Sequence, residues 1–323
     1  NIFNVLIIGL GRIGLEYDYN KGPKFLLSHS SSFFYNKNFN LVGAVDIDKR
    51  KCIKFENSFN KPAYDNLKLA LKDVQPEIIV ISTPTDTLIE VFENILQFYK
   101  PKVVLIEKPI SLDYEVAKKV VNKAKLSEIS LFVNYMRRSE PYANKIKTKI
   151  ETINSFAHGV CWYSRGIYNG ASHFINLLQY WFGDFENCNV IDNGNLYNPN
   201  DPEPAFEIEL KNGSFKFFPI TNKSIFHNSI DIIHSDGRIK YEFNGRIIYC
   251  YDANFDNIYK NYKVFDLTPI KYEIDFSSIQ SKVVENLYLF LKGKEFSLCS
   301  GSEALKTLEV IESIRKKRNE KFK

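Results

Sequence analysis

The residues of this chain whose types and spacing could do chemistry are a group of glycines, two strand-end carboxylates, a lysine and a histidine. Gly9, Gly11 and Gly14 stand in "GLGRIG" with G-x-G-x-x-G spacing, directly after the apolar run Val5–Ile8. Backbone amides in such a turn can cradle a pyrophosphate at a helix start, with Leu10, Arg12 and Ile13 carried along between the glycines. Alone, the spacing is a weak signal, because glycines gather in turns for many reasons. Asp46 strengthens it: "LVGAVDID" ends a second apolar run in a carboxylate that can accept both ribose hydroxyls. That carboxylate repels a 2′-phosphate and so favours NAD over NADP, a preference softened by Lys49 and Arg50 just downstream. Glu107 and Lys108, in "VVLIEKPIS", put a charged pair where an open parallel sheet keeps its ligand crevice. By itself a lysine there is only a solvated strand end.

One interval is wrong for the usual pattern. Gly14 and Asp46 are 32 residues apart, against about 20 expected. Loop composition places an insertion of roughly a dozen residues at 15–24, after which a helix resumes as "FLLSHSSSFF" (25–34), with Phe25, Leu26, Phe33 and Phe34 toward the sheet. Tyr17, Asp18 and Tyr19 of that loop either cover cofactor or substrate or belong to an ordinary surface loop.

The elements that must position these residues follow from periodicity. Ile2–Ile8, Leu41–Val45, Glu77–Ser82, Lys102–Ile106 and Ile129–Tyr135 are short Val- and Ile-rich runs, as expected for strands buried on both faces. Helical patterns separate them at 66–72, 88–98 and 114–125, which predicts parallel pairing. After about residue 140 the texture changes to a Lys-rich helix (141–151), an alternating run (156–164) and a helix (172–182). A mostly β-like stretch (188–271) follows, with turns at "NGS", "SDG" and "NG", and two helices (280–291 and 303–317) close the chain. The expected architecture is an α/β Rossmann domain with a doubly wound parallel sheet at 1–122. An α+β domain with a large, mainly antiparallel open sheet follows at 123–323.

Composition limits the partners. A net charge of +5 over 323 residues, with Lys and Arg scattered among acids, gives no nucleic-acid footprint. The basic stretch after Ile314 reads as a solvated helix end. No apolar run reaches the roughly 20 residues of a membrane span, and no leader pattern opens the chain. Five dispersed cysteines without C-x-x-C pairs or a histidine cluster read as buried thiols in a reducing cytoplasm, with no metal site.

"GLGRIG", Asp46, "ISTPTDT" (81–87), the EKP motif, "VNYMRRSEP" (133–141) and "NGASHFINLLQYWFG" (169–183) together resemble the glucose–fructose oxidoreductase / inositol dehydrogenase / MocA family over nearly the whole chain. The resemblance implies an NAD(P)-dependent oxidoreductase of the cytoplasm acting on a sugar, nucleotide sugar or cyclitol. It implies a homo-oligomer, dimer or tetramer, built on the outer face of the second sheet. It places Lys108 between nicotinamide and substrate as a catalytic residue. Thr83, Pro84 and Thr85 then line the cofactor near the nicotinamide ribose, and Glu107 orients that end. The family carries an Asp and a His four residues apart on one helix, the His acting as acid/base; His173 matches the His, but the Asp position is Asn169. An amide orients an imidazole without stabilising its cation, so proton transfer shifts toward Lys108 or His173 chiefly binds a hydroxyl. The plain alternatives are an N-cap role for Asn169 and a core histidine at 173. Leu88 stands where relatives often have a histidine. Tyr163, Arg165 and Tyr168 in "CWYSRGIYNG", with Arg138, offer donors to a polar substrate, and Arg suits phosphate or carboxylate. Two other readings fit the resemblance: glycoside cleavage with bound NAD and no net redox change, and a non-catalytic NAD(P)-binding regulatory protein.

Overall fold

The computed structural model describes residues 2–152 and 155–320. The last three residues of the basic C-terminal stretch lie outside them. The chain forms two compact units: one of Asn1–Glu140 with Phe276–Leu305, the other of Pro141–Asp275 with Lys306–Lys323. The boundary expected after residue 122 falls inside a helix of the first unit, and the helix expected at 280–291 belongs to that unit as well.

In the first unit, β1 (Phe3–Ile8), α1 (His29–Phe34), β2 (Phe39–Val45), α2 (Lys49–Phe59), β3 (Ala63–Tyr64), α3 (Leu67–Val74), β4 (Ile78–Ile81), α4 (Thr85–Phe98), β5 (Val103–Ile106), α5 (Tyr114–Leu126) and β6 (Ser130–Val133) alternate along the chain. The strands pair in parallel in the order β6-β5-β4-β1-β2-β3, and a short antiparallel strand, Cys299–Ser300, is added beside β6. The strands at the sheet centre are wholly apolar and buried on both faces, as their sequences required. Helix Ile279–Leu291 contributes Val283, Val284 and Leu287 to the same core as Val5, Ile7, Phe33 and Leu105. The chain order reverses between β1 and β4, which sets the ligand crevice of such a sheet beyond their carboxyl ends.

The insertion is a splice in a helix. Leu15 N donates to Gly11 O, as a helical turn requires, but the next rungs jump: His29 N donates to Ile13 O at 2.8 Å and Ser30 N to Gly14 O at 3.1 Å. His29 and Ser30 thus take the places of the fourth residues after Ile13 and Gly14, so twelve residues are looped out and the helix continues in register. Without them the interval to Asp46 returns to about 20 residues. Helix α1 starts at residue 29, four later than expected, leaving Phe25 and Phe34 exposed and Phe33 buried. Asp18 explains the late start. It is buried, and its Oδ2 accepts from Leu27 N (2.7 Å) and Ser28 N (2.9 Å) while Oδ1 accepts from Ser31 Oγ (3.0 Å). Ser28 Oγ caps the helix by accepting from Ser31 N. Tyr17 is exposed, and Tyr19 packs on the core.

In the second unit, α6 (Pro141–Glu151), β7 (Ala157–Tyr163), α7 (Ser172–Phe182), β8 (Phe185–Asn198), β9 (Asp201–Leu210), β10 (Gly213–Pro219), β11 (Ser229–His234), β12 (Gly237–Glu242), β13 (Ile247–Phe255), β14 (Lys263–Phe265) and β15 (Ile270–Glu273) form a sheet ordered β14-β13-β12-β11-β7-β10-β9-β8, with β15 also on β13. All its pairs are antiparallel except β7–β10. Alternation along β7 buries Ala157, Cys161 and Tyr163 and exposes His158, Val160 and Trp162. No helix among the described residues is long and apolar enough to cross a membrane.

Candidate active site

The glycine turn leaves β1 at the crevice, and each glycine is held by a different constraint. Gly9 has φ +93°, and a Cβ there would lie 2.7 Å from the Ser82 carbonyl carbon; one at Gly14 would lie 2.0 Å from Gly9 O. A Cβ at Gly11 would meet nothing within 4 Å. Two glycines therefore close the turn against the end of β4, and the third keeps its outer side open. Ser82 Oγ locks the turn by donating to Gly9 O at 2.7 Å. Leu10 is buried, while Arg12 is exposed and Ile13 half-buried.

Asp46 follows β2. Its Oδ2 accepts from Leu10 N at 2.6 Å and its Oδ1 from Asp48 N at 2.8 Å, so the carboxylate is aimed at the glycine turn. Arg50 turns to Asp48 instead, with Nε at 3.2 Å and Nη2 at 3.1 Å, and these bonds hold the Asp48 carboxyl below its usual range. Thr83 follows β4 and its Oγ1 is buried without a hydrogen-bond partner among the described residues. Pro84 is exposed, and Thr85 opens α4, whose amino end has no side-chain cap. Leu88 is a core residue. An open glycine cradle, a directed carboxylate and an orphaned hydroxyl at neighbouring strand ends fit a dinucleotide.

Glu107 and Lys108 follow β5, both half-buried, and the Lys108–Pro109 bond is cis. Glu107 Oε1 accepts from Asn134 Nδ2 at 2.7 Å and meets His29 Nε2 at 2.7 Å. His29 Nδ1 is 3.0 Å from Gln280 Nε2, and Gln280 Oε1 accepts from Asn134 Nδ2 at 3.1 Å. Sequence reasoning missed His29, Asn134 and Gln280, since His29 and Gln280 are 251 residues apart and no spacing rule joins them.

In the second unit Tyr163 is wholly buried and its hydroxyl donates to Pro204 O at 2.6 Å, which takes it out of reach of a ligand. Arg165 is exposed at φ +71°, its guanidinium 5.1 Å from the Phe226 ring and its Nε 3.4 Å from Tyr197 Oη. Tyr168 is buried; its hydroxyl accepts from Arg315 Nη1 at 3.0 Å, and burial raises its pKa against the Arg315 charge. Asn169 is exposed and lies inside the helical path, which begins as a wide turn at Gly166, so it is no N-cap. His173, half-buried, is accordingly in the second turn rather than the first.

Two buried acids of β9, unnoticed in the sequence, hold that helix start. Glu203 Oε1 accepts from Arg165 N and Gly166 N, both at 3.1 Å, and Asp201 accepts from Tyr168 N (2.8 Å) and Asn169 N (3.2 Å). Arg138 is buried, in the first unit, with Nη2 2.6 Å from Glu303 Oε1. Arg137 is also buried, with its guanidinium 5.5 Å from the Phe276 ring. Among the described residues no cluster of three or more His, Cys, Asp or Glu could hold a metal.

Residues 3–135 match the family described as "Oxidoreductase family, NAD-binding Rossmann fold". No curated protein matches the chain. Among solved structures, the chain is similar to the WlbA dehydrogenase from Bordetella pertussis in complex with NADH and UDP-GlcNAcA, at 16% identity, TM-score 0.74, covering 99% of this chain and 97% of that one. It is similar to the UDP-N-acetylglucosamine 3-dehydrogenase GnnA from Acidithiobacillus ferrooxidans, at 14% identity, TM-score 0.75 and 98% of both chains. An oxidoreductase from Agrobacterium radiobacter in complex with NAD+, L-tartaric acid and magnesium is similar at 15% identity, TM-score 0.74, covering 99% and 97%. At these identities the likeness is one of fold.

Proposed function

We propose that this chain, whose residues 3–135 match an NAD-binding oxidoreductase family, is a dehydrogenase acting on a hydroxyl-bearing carbon of a sugar, a nucleotide sugar or a cyclitol. The observation that supports the reading most is that the glycine turn, Thr83 and the Glu107–Lys108 pair end β1, β4 and β5, which are successive neighbours in one sheet. When bound, the nicotinamide supplies or accepts the hydride. Lys108 holds the reacting hydroxyl and takes its proton as the carbon loses hydride, giving a carbonyl; in reverse it returns that proton. His173 is assigned the assisting role on the family resemblance, with Asn169 orienting its ring. The sugar class draws on two structural relatives named for UDP-sugar dehydrogenation or crystallised with a UDP-sugar acid. Arg165, whose exposed guanidinium has no carboxylate among its described partners, is the candidate donor to a phosphate or carboxylate. The five buried thiols suit the cytoplasm, and exposed Val160, Trp162 and Ile233 on one face of the second sheet suit a contact between copies of this chain.

A panel of sugars, cyclitols and nucleotide sugars with NAD and NADP, followed at the reduced-nicotinamide absorbance, tests the reading. Lys108→Ala is expected to bind NAD within about threefold of wild type and to lose at least about 100-fold in kcat. Full turnover in that variant would refute the role of Lys108. Arg165→Ala is expected to raise KM for a charged sugar and leave NAD affinity unchanged.

A further inference from the structure

Four separate segments bring one side chain each to the end of β5, three of them buried, and together they close a ring. Glu107 Oε1, at the end of β5, is met by His29 Nε2 from α1 and by Asn134 Nδ2 just after β6. Gln280, near the start of helix Ile279–Leu291, bridges the other two through His29 Nδ1 and Asn134 Nδ2. His29 and Gln280 are 0% exposed and Asn134 is 2% exposed, so water does not stand in for any member.

The donors and acceptors allow one consistent polarity. A carboxylate only accepts, so Asn134 turns its amino group to Glu107. That amino group also donates to Gln280 Oε1, which directs Gln280 Nε2 at His29. His29 Nδ1 must then be an acceptor, and the ring proton sits on Nε2, where it donates to Glu107 Oε1. Both donors fall on Oε1. No described hydrogen bond reaches Oε2, and the side chain keeps 18% exposure at the carboxyl edge of the sheet.

We propose that His29, Asn134 and Gln280 are positioning residues that pin Glu107 by one oxygen and present the other as a fixed acceptor to the nicotinamide half of the cofactor. The inference rests on the reading that this edge receives the dinucleotide. A pinned carboxylate loses little further freedom when it accepts a hydrogen bond from a ribose hydroxyl or a carboxamide, so its contact adds fully to affinity. His29 stands one helical turn beyond Ile13, where the chain resumes in register after the twelve-residue loop. A residue buried for packing alone has no such directional requirement.

Calorimetric titration with NAD and, separately, with ADP tests the proposal, because ADP carries the adenosine end without the nicotinamide half. Glu107→Gln keeps the ring, since its amide oxygen accepts from His29 and Asn134, but turns an amino group outward where Oε2 stood. It is expected to weaken NAD by about tenfold or more and to leave ADP unchanged. His29→Leu breaks the ring and is expected to do the same, whereas His29→Gln, which offers one donor and one acceptor, restores NAD affinity. NAD binding unaltered by Glu107→Gln overturns the proposal. So does a parallel loss of ADP binding in His29→Leu, the mark of a structural role. If His29→Leu fails to fold, Glu107→Gln and His29→Gln decide. Failure to turn over any sugar bears on the substrate reading alone, because neither titration needs turnover.

Discussion

At the scale of single residues, the glycines separate folding from binding. Alanine at Gly9 must adopt φ +93° with its Cβ against the Ser82 backbone, and alanine at Gly166 must adopt φ +82° with its Cβ 2.1 Å from Asp201 Cγ. Each is expected to cost more than about 2 kcal/mol, measured by urea unfolding. Alanine at Gly11 meets nothing in the protein. Gly11→Ala is therefore expected to keep its unfolding midpoint and lose NAD affinity, because the added methyl occupies the open side of the turn. An unchanged titration would show that the cofactor passes elsewhere. The turn at Gly9, Gly11 and Gly14 was legible because a short-range spacing encodes its geometry, and the place of Asp46 because it ends an apolar run. His29, Asn134 and Gln280 were not, because their partnership exists only after the sheet forms. Asn169 takes a different light from Asp201 and Glu203. The helix start already carries two buried carboxylates on its amides, so its capping does not rest on Asn169.

At the scale of elements, the sequence placed five of the seven strands of the first sheet, their parallel pairing and an insertion of about the right length, and missed the two-residue strands Ala63–Tyr64 and Cys299–Ser300. It misplaced the start of α1. Phe25 and Leu26 looked like helix because they are apolar, yet residues 25–28 form no helix and are held by backbone bonds, Leu26 N to Ser277 O at 2.7 Å and Gln280 N to Leu26 O at 3.2 Å. Those partners lie some 250 residues on, beyond any local pattern. Asp18 controls the loop: Asp18→Ala leaves the amides of Leu27 and Ser28 and the Ser31 hydroxyl without their acceptor. It is expected to cost about 2–4 kcal/mol by urea unfolding. A loss below about 0.5 kcal/mol would show that water replaces it. Deleting residues 17–28 joins Glu16 to His29 with the helical register intact, and the shortened chain is expected to fold and to bind ADP.

At the scale of the whole molecule, the first unit is discontinuous, completed by residues 276–305. A fragment ending at residue 140 lacks Val283, Val284, Leu287 and Leu298 of its core, and is expected to lack a cooperative thermal transition. The returning segment is also tied electrostatically. Burial alone would raise the Glu303 pKa, but the Arg138 guanidinium at 2.6 Å and the Ser300 donors outweigh it and hold the carboxyl below its usual range. A lowered folded pKa gives stability that is present above about pH 5 and lost as pH falls through the ordinary carboxylate range and below. Glu303→Gln should therefore flatten the acid limb of the stability profile, measured by urea midpoints between pH 3 and 7; an unaltered limb would assign the pairing no weight. Synthesis on the ribosome gives the discontinuity a further meaning. When residue 140 has been made, β6 is still an open edge, since Cys299–Ser300 that pairs with it does not yet exist. Roughly 165 more residues must be added first, on the order of ten to thirty seconds at ordinary elongation rates. Throughout that time the nascent cofactor region has no finished core, and the chaperones that meet it see an exposed strand edge.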